Sequence, residues 1–215
     1  MQLTRNGWFV RALLACGLLS SLLYLLSDIV GALSYPDYDY VGQAISEMSA
    51  IGAPTADLLA PFYMLYSVLF ALFGAGVWFA AGRRPSLRWS AGFIIALAAL
   101  GIGWPLSPMN MRGHEPTLTD TTHLALGAAS TSLILAIIAT GAAAFGRPLR
   151  IYSVATALVM LVFGYLMSLD VPRVPEGLPT PWLGMNERIM MAAWLLWMAV
   201  LSVTLLRETG GAVAR

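Results

Sequence analysis

The sequence predicts an all-α polytopic membrane protein, one domain of six transmembrane helices over residues 1–215. Three observations predict it. First, 11% of the residues are charged and 59% hydrophobic, with a mean hydropathy of +0.75. A soluble domain carries about 25% charged residues, so this chain cannot coat itself with polar surface, and hydrocarbon is its natural solvent. Second, six apolar stretches reach the length a helix needs to cross hydrocarbon ~30 Å thick, about 20 residues. Third, the arginines sort into alternate connections, the pattern of a chain whose N- and C-terminal ends lie in the cytoplasm.

The first span runs from Trp8 to Val30. The second begins at Ala53-Pro54, where a first-turn proline wastes no hydrogen bond, and runs to Ala81. It is longer than the bilayer requires, so it tilts or projects into water at its start, with Pro61 offering a kink there. The third runs from Trp89 to Leu106, the fourth from Leu118 to Phe145, the fifth from Ile151 to Leu169 and the sixth from Met185 to Leu206. Residues 82–86 and 146–148 are minimal turns. Residues 31–52 hold Tyr35-Pro36-Asp37-Tyr38-Asp39-Tyr40, whose rings suit the membrane interface, then a short helical pattern through Met48, with Gly52 as its cap. Residues 171–184, rich in Pro and Gly, predict irregular chain.

Arg5, Arg11, Arg83, Arg84, Arg88, Arg147, Arg150, Arg207 and Arg215 fall at the chain ends and in the two short turns, leaving Arg112, Arg173 and Arg188 elsewhere. The first group marks the cytoplasmic side of a bacterial cytoplasmic membrane. The acids take the opposite side: Asp28, Asp37, Asp39, Glu47, Asp57, Glu115, Asp120, Asp170, Glu176 and Glu187, with Glu208 alone among the arginines.

A formal net charge of +1 offers no basic excess for nucleic acid. The absence of Lys removes Schiff-base and P-loop lysine chemistry. The single cysteine, Cys16, forms no intrachain disulfide and no cysteine cluster. Arg11 lies close before it and the apolar run continues past it, against a lipoprotein cleavage site. Gly-x-Ser-x-Gly, His-Glu-x-x-His and Gly-rich phosphate signatures are missing. No residue pattern specifies an oligomeric state.

What remains are polar stripes within the spans. Gly17, Ser20, Ser21, Tyr24, Ser27, Asp28 and Gly31 recur at helical spacing on one face of the first helix. Small residues and hydroxyls there serve helix packing. Asp28 is different: it sits about a turn inside the membrane, at a helix C-terminus whose dipole disfavours an anion, and intramembrane acids mark function. Asp120, His123, Gly127, Ser130 and Thr131 share a face of the fourth helix. Thr117 and Asp120 read as a capping box; His123 is either a proton carrier, general base or ligand, or a hydrogen-bonded structural histidine. Glu187 and Arg188 open the sixth helix and point different ways. Arg188 opposes the dipole there and needs an acid from elsewhere, with Asp28, Glu47 or Asp120 in range. Glu187 shares its face with Met190, Trp194, Trp197 and Leu201. Ser46-Glu47-Met48-Ser49 is either a solvated loop or one folded over the bundle mouth.

Ile45-Ser46-Glu47-Met48 followed by Gly52-Ala53-Pro54, Trp104-Pro105, His123 with Gly127, and Gly184 through Ile189 together resemble the bacterial and archaeal membrane family known as domain of unknown function 998. The resemblance covers nearly the whole chain. It implies a six-helix membrane protein without an established activity, and Ser46, Glu47, His123, Glu187 and Arg188 match the family's polar signature. This chain has Met109-Asn110 where the family usually carries an acid, which removes a carboxylate from that place. A fainter similarity, to the membrane hydrolases that include alkaline ceramidases, rests on Ser27, Asp28 and His123; it implies zinc, but their paired C-terminal histidines are absent.

The reading that follows is a polar pocket at the non-cytoplasmic helix ends, taking a membrane lipid or small amphiphile. Asp28, His123 and Glu187 are its catalytic candidates, and Tyr24, Ser46, Glu47 and Arg188 its binding candidates. No residue is assigned to a metal: two histidines plus Asp28 suffice for zinc in principle, but their spacing is not diagnostic. A proton-coupled carrier and a non-catalytic assembly protein are the alternatives.

Overall fold

Hydrophobic content alone marks where a helix lies in hydrocarbon, and the computed structural model shows the first, fifth and sixth helices running past the apolar runs read from the sequence, while the second and fourth stay within them. It describes residues 2–213, with side chains from Gly7 to Gly210. The six helices are α1 (Gln2–Ser34), α2 (Ala56–Ala80), α3 (Pro85–Gly103), α4 (Leu118–Ala143), α5 (Arg147–Asp170) and α6 (Leu183–Val213). All are long and apolar enough to cross a membrane. Pro85 and Pro148 sit in the first turns of α3 and α5. α2 starts at Ala56, after Pro54 rather than on it, and runs unbroken through Pro61. Short 3₁₀ segments follow or bridge them: η1 (Ile45–Ser49), η2 (Trp104–Leu106) and η3 (Val171–Arg173).

The helices pack in chain order, and α6 closes the arc against α1. α4 lies along α3 and α5 along α6, while the contact between α4 and α5 is the slightest of the neighbouring pairs. One end of the bundle carries the two tight turns and most of the arginines; the other, here the loop end, carries the long connections. The core fills the middle, with Phe70, Phe73, Ile94, Ile137, Trp194 and Trp197 fully buried. The stripe of Met190, Trp194, Trp197 and Leu201 on α6 therefore faces the core.

Close approach is set by small residues. A Cβ on Gly17 would lie 2.7 Å from the Phe73 ring, and one on Gly76 2.9 Å from the Leu13 backbone. Hydroxyls then bind across the helices: Ser202 Oγ donates to Leu14 O at 2.6 Å, Ser21 Oγ to Leu195 O at 3.1 Å, and Trp197 Nε1 to Ser153 Oγ at 2.8 Å.

Candidate functional site

Asp28 near the end of α1 and Arg188 in the second turn of α6 meet at the loop end, 5% and 8% exposed. A charge held that deep needs a partner and full hydrogen bonding, and the structure supplies both. Arg188 Nη2 donates to Asp28 Oδ1 at 2.9 Å and Nε to Oδ2 at 3.1 Å. Nη2 also reaches Tyr38 Oη at 2.9 Å, and Nη1 donates to Tyr40 O at 2.8 Å and Gln43 O at 3.2 Å. An arginine has five N–H donors; here every one is spent. Tyr40 Oη donates to Asp28 Oδ2 at 2.7 Å, and its ring lies under the guanidinium, 3.7 Å from centroid to Cζ. Burial pushes both phenols up; hydrogen bonding to Asp28 adds to the rise at Tyr40, while Arg188 pulls Tyr38 partway back.

This arrangement folds residues 35–49 over the mouth between α1 and α6. Residues 46–49 are thus no solvated loop: Ile45, Glu47 and Met48 of η1 are buried. Glu47 caps η1 by accepting from Ala44 N at 2.9 Å, and it receives Arg112 Nη2 at 2.8 Å and Nε at 3.1 Å. Glu187 Oε2 accepts from Ile45 N at 2.7 Å. Ser46 Oγ donates to Met109 Sδ at 3.1 Å, tying η1 to the α3–α4 connection. Gly184 lets the loop backbone at Gln43 touch the start of α6; a Cβ there would collide with Gln43 O. Tyr24 packs against Tyr63 at a tilt and edge-on against Tyr66, at centroid distances of 6.3 and 5.3 Å. A crevice in this region, about 130 Å³ beside Tyr24, Asp28, Tyr40 and Arg188, is below the roughly 300–1,000 Å³ of ligand pockets.

His123 does not join this cluster. Its Nδ1 lies 2.9 Å from Ser107 O, and its ring meets Trp104 edge-on, centroids 4.7 Å apart. A carbonyl only accepts, so Nδ1 carries a proton, and whenever the ring is neutral Nε2 is the acceptor. Nε2 has no hydrogen-bond partner among the described residues. Two turns deeper on the same face, Ser130 Oγ is buried and without a partner. Between them Gly127 leaves room: a Cβ there would meet only Trp104, at 3.9 Å. Asp120 is the capping residue, accepting from Thr117 N at 2.7 Å, and from Asn110 N at 2.7 Å and Nδ2 at 2.6 Å.

The residues do not assemble a zinc site. Among the described residues no three His, Cys, Asp or Glu side chains converge; Asp28 is taken by Arg188 and Tyr40, and His114 Nδ1 lies beside loop carbonyls.

α4 and α5 part toward the loop end. The buried residues of α4 (Ile134, Ile137, Ile138, Gly141) and of α5 (Ser153, Thr156, Met160) all lie in the halves next to their shared turn. Residues 118–133 and 161–170 contain none. Above the gap lies a recess of about 440 Å³ lined by Glu115, Pro116, Pro172, Pro175 and Glu176.

Residues 18–204 match the family model described as protein of unknown function, DUF998. The chain belongs to that family. No curated protein and no solved structure matches it. Within this DUF998 chain, the motif positions Ser46, Glu47, Gly184 and Arg188 are the parts of the loop closure, and His123 with Gly127 borders the open side. The sequence did not single out Tyr38, Tyr40, Gln43 or Arg112 as part of the closure. Arg112 carried a readable signal: an arginine on the side where arginines are scarce needs an acid of its own.

Proposed function

We propose that this DUF998 protein binds a membrane amphiphile in the opening between α4 and α5, on the inner face of α4. The loop end faces away from the cytoplasm of a bacterial cell, as the arginines of the other end favour. One observation carries the reading: two polar atoms without a protein partner, His123 Nε2 and the buried Ser130 Oγ, lie on one face of α4, in the half where neither α4 nor α5 buries a residue, whereas the other buried unpartnered atom, Tyr152 Oη, lies at the turn end. In hydrocarbon an unpaired polar atom is costly, and a ligand entering sideways from the bilayer would pair it. The Asp28–Arg188 pair supports the opening indirectly by holding the opposite wall shut; with every Arg188 donor used, it has none left for an anionic headgroup. His123 Nε2 is the group placed to accept a proton if the bound amphiphile reacts. Transport finds less support, because in the other half Ser21, Ser202 and Ser153 are bonded between helices rather than lining a path.

The test is photolabelling of the protein, reconstituted in nanodiscs, with hexadecanol carrying a diazirine in its chain. Labelling should concentrate on residues 118–133 and 161–170, and Gly127→Trp, which fills the gap, should remove that excess while the protein still elutes as a folded species. Equal labelling around all lipid-facing surfaces, unaltered by the tryptophan, would overturn the proposal; should that variant not fold, Ser130→Leu serves in its place.

A further inference from the structure

The closure between α1 and α6 holds more carboxylates than cations. Among the described residues Asp28, Glu47 and Glu187 meet there against Arg188 and Arg112. Arg188 takes Asp28 through two bonds, at 2.9 and 3.1 Å, and its remaining donors go to Tyr38 Oη and to the carbonyls of Tyr40 and Gln43. Arg112 takes Glu47, at 2.8 and 3.1 Å, and its other bonds go to Gly42 O and Leu178 O. Glu187 is left over. It forms no salt bridge among the described residues, and its one hydrogen bond is the 2.7 Å contact from Ile45 N to Oε2. An ionised carboxylate has room for about four such bonds. Glu187 sits partly buried near the start of α6. The groups that face it are Tyr24 and Asp28 from α1, Tyr63 from α2, Tyr38 and Glu47 from the segment 35–49, and Arg188 beside it. No phenol hydroxyl among them donates to it: Tyr38 Oη donates to the carbonyls of Gln43 and Ala44 instead.

A carboxylate held in low dielectric without a counter-charge is costly, and two further acids beside it add to the cost. One positive charge removes it. A metal ion needs several ligands, and among the described residues no three His, Cys, Asp or Glu side chains converge. A proton needs one oxygen. We infer that Glu187 is a proton-binding site: while residues 35–49 are closed over the bundle it is a neutral carboxylic acid, one oxygen accepting from Ile45 N and the other carrying the proton. Closure is then linked to pH. Lifting the segment exposes Glu187 to water, where it ionises in the ordinary glutamate range, about 4.3. The closed form binds one proton more than the open form, so closure is strongest at low pH and weakens as pH rises above that range. Asp28 and Glu47 each hold a guanidinium, so the response belongs to Glu187. It is independent of any amphiphile between α4 and α5.

The experiment compares the full chain in nanodiscs with Glu187→Gln, the neutral isostere whose carbonyl oxygen accepts from Ile45 N as the acid does. Amide exchange of residues 43–49, corrected for the intrinsic rate, is followed from about pH 5.5 to about pH 8.5, above the ordinary glutamate range. Wild type should open several-fold more often at the upper limit than at the lower, while the variant stays flat. The infrared difference between the two at neutral pH should contain the C=O band of a protonated carboxyl, present in wild type and lost in the variant. A ratio of wild-type to variant exchange that does not change with pH, or that follows sodium concentration instead, would overturn the inference. So would a difference spectrum carrying only carboxylate bands. A glutamine variant that fails to fold where Glu187→Asp folds would also count against it, since a site built for a neutral acid tolerates the amide.

Discussion

The two sides of the loop end treat polar groups in opposite ways. Between α1 and α6, Asp28, Arg188, Tyr38, Tyr40 and Gln43 form one network in which every Arg188 donor finds a partner. In the loop-end half of α4, where neither α4 nor α5 buries a residue, Ser130 Oγ is buried without a partner and His123 is bonded through Nδ1 alone. A satisfied network in low dielectric is rigid and binds nothing further; unsatisfied groups on a half-buried wall are where a ligand gains most. The contrast extends to the arginines. The three at the loop end, Arg112, Arg173 and Arg188, are each salt-bridged, whereas among the described arginines of the opposite end only Arg84 holds an acid, Glu208 at 3.0 Å.

The contrast breaks most visibly at the ion pair. Asp28→Ala or Arg188→Ala strands a buried charge, which costs about 3–5 kcal/mol. Each should lower the unfolding temperature sharply in detergent and open residues 35–49 to limited proteolysis. The double variant Asp28→Leu/Arg188→Met should be milder than either single change, since no charge is left unpaired; a double variant as unstable as the sum of the two would mean the pair is not the lock. Glu47→Ala removes the acceptor for Arg112 and for Ala44 N, a loss of about 2–3 kcal/mol. It should appear as faster amide exchange across residues 43–50, without change in α4.

Smaller effects sharpen the boundary. Tyr40→Phe deletes one hydrogen bond to Asp28 at a half-open position, worth about 1 kcal/mol. Its pH dependence has a defined sign. Burial raises the Tyr40 and Tyr38 phenols above their ordinary range, so their bonds contribute fully below the unfolded phenol value of about 10 and are lost as pH rises through the higher folded value. Thermal unfolding should therefore show a constant gap between wild type and Tyr40→Phe up to about pH 10, narrowing above it. On the other side, Ser130→Ala removes a buried hydroxyl that has no partner, so stability should hold or rise by up to about 1 kcal/mol. A large drop there would show that the open wall is closed by contacts of its own.

Much of this was legible in the residues. Apolar runs gave six spans because hydrocarbon admits only helices whose backbone satisfies itself. The helical spacing from Gly17 to Gly31 marked the inner face of α1, and Thr117 with Asp120 marked a cap that the coordinates show bonded as a capping box. Helix ends were set short, because α1, α5 and α6 continue into the polar zone where hydropathy no longer reports them. Asp28 as the partner of Arg188 was one of three candidates, since a sequence shows which charge lacks a partner but not which acid reaches it. His123 was grouped with Asp28 because both lie near the same membrane surface; depth is readable from position in a span, whereas azimuth around the bundle is not.

The sequence by itself determined that this chain lives in a membrane as six helices and that its acids gather at one end, because solvation in hydrocarbon depends on composition and length alone. Only the tertiary structure decided which polar groups meet, that residues 35–49 close one side, and that α4 and α5 separate on the other. Those outcomes depend on angstrom-scale contacts between segments distant in sequence, and no local pattern encodes them.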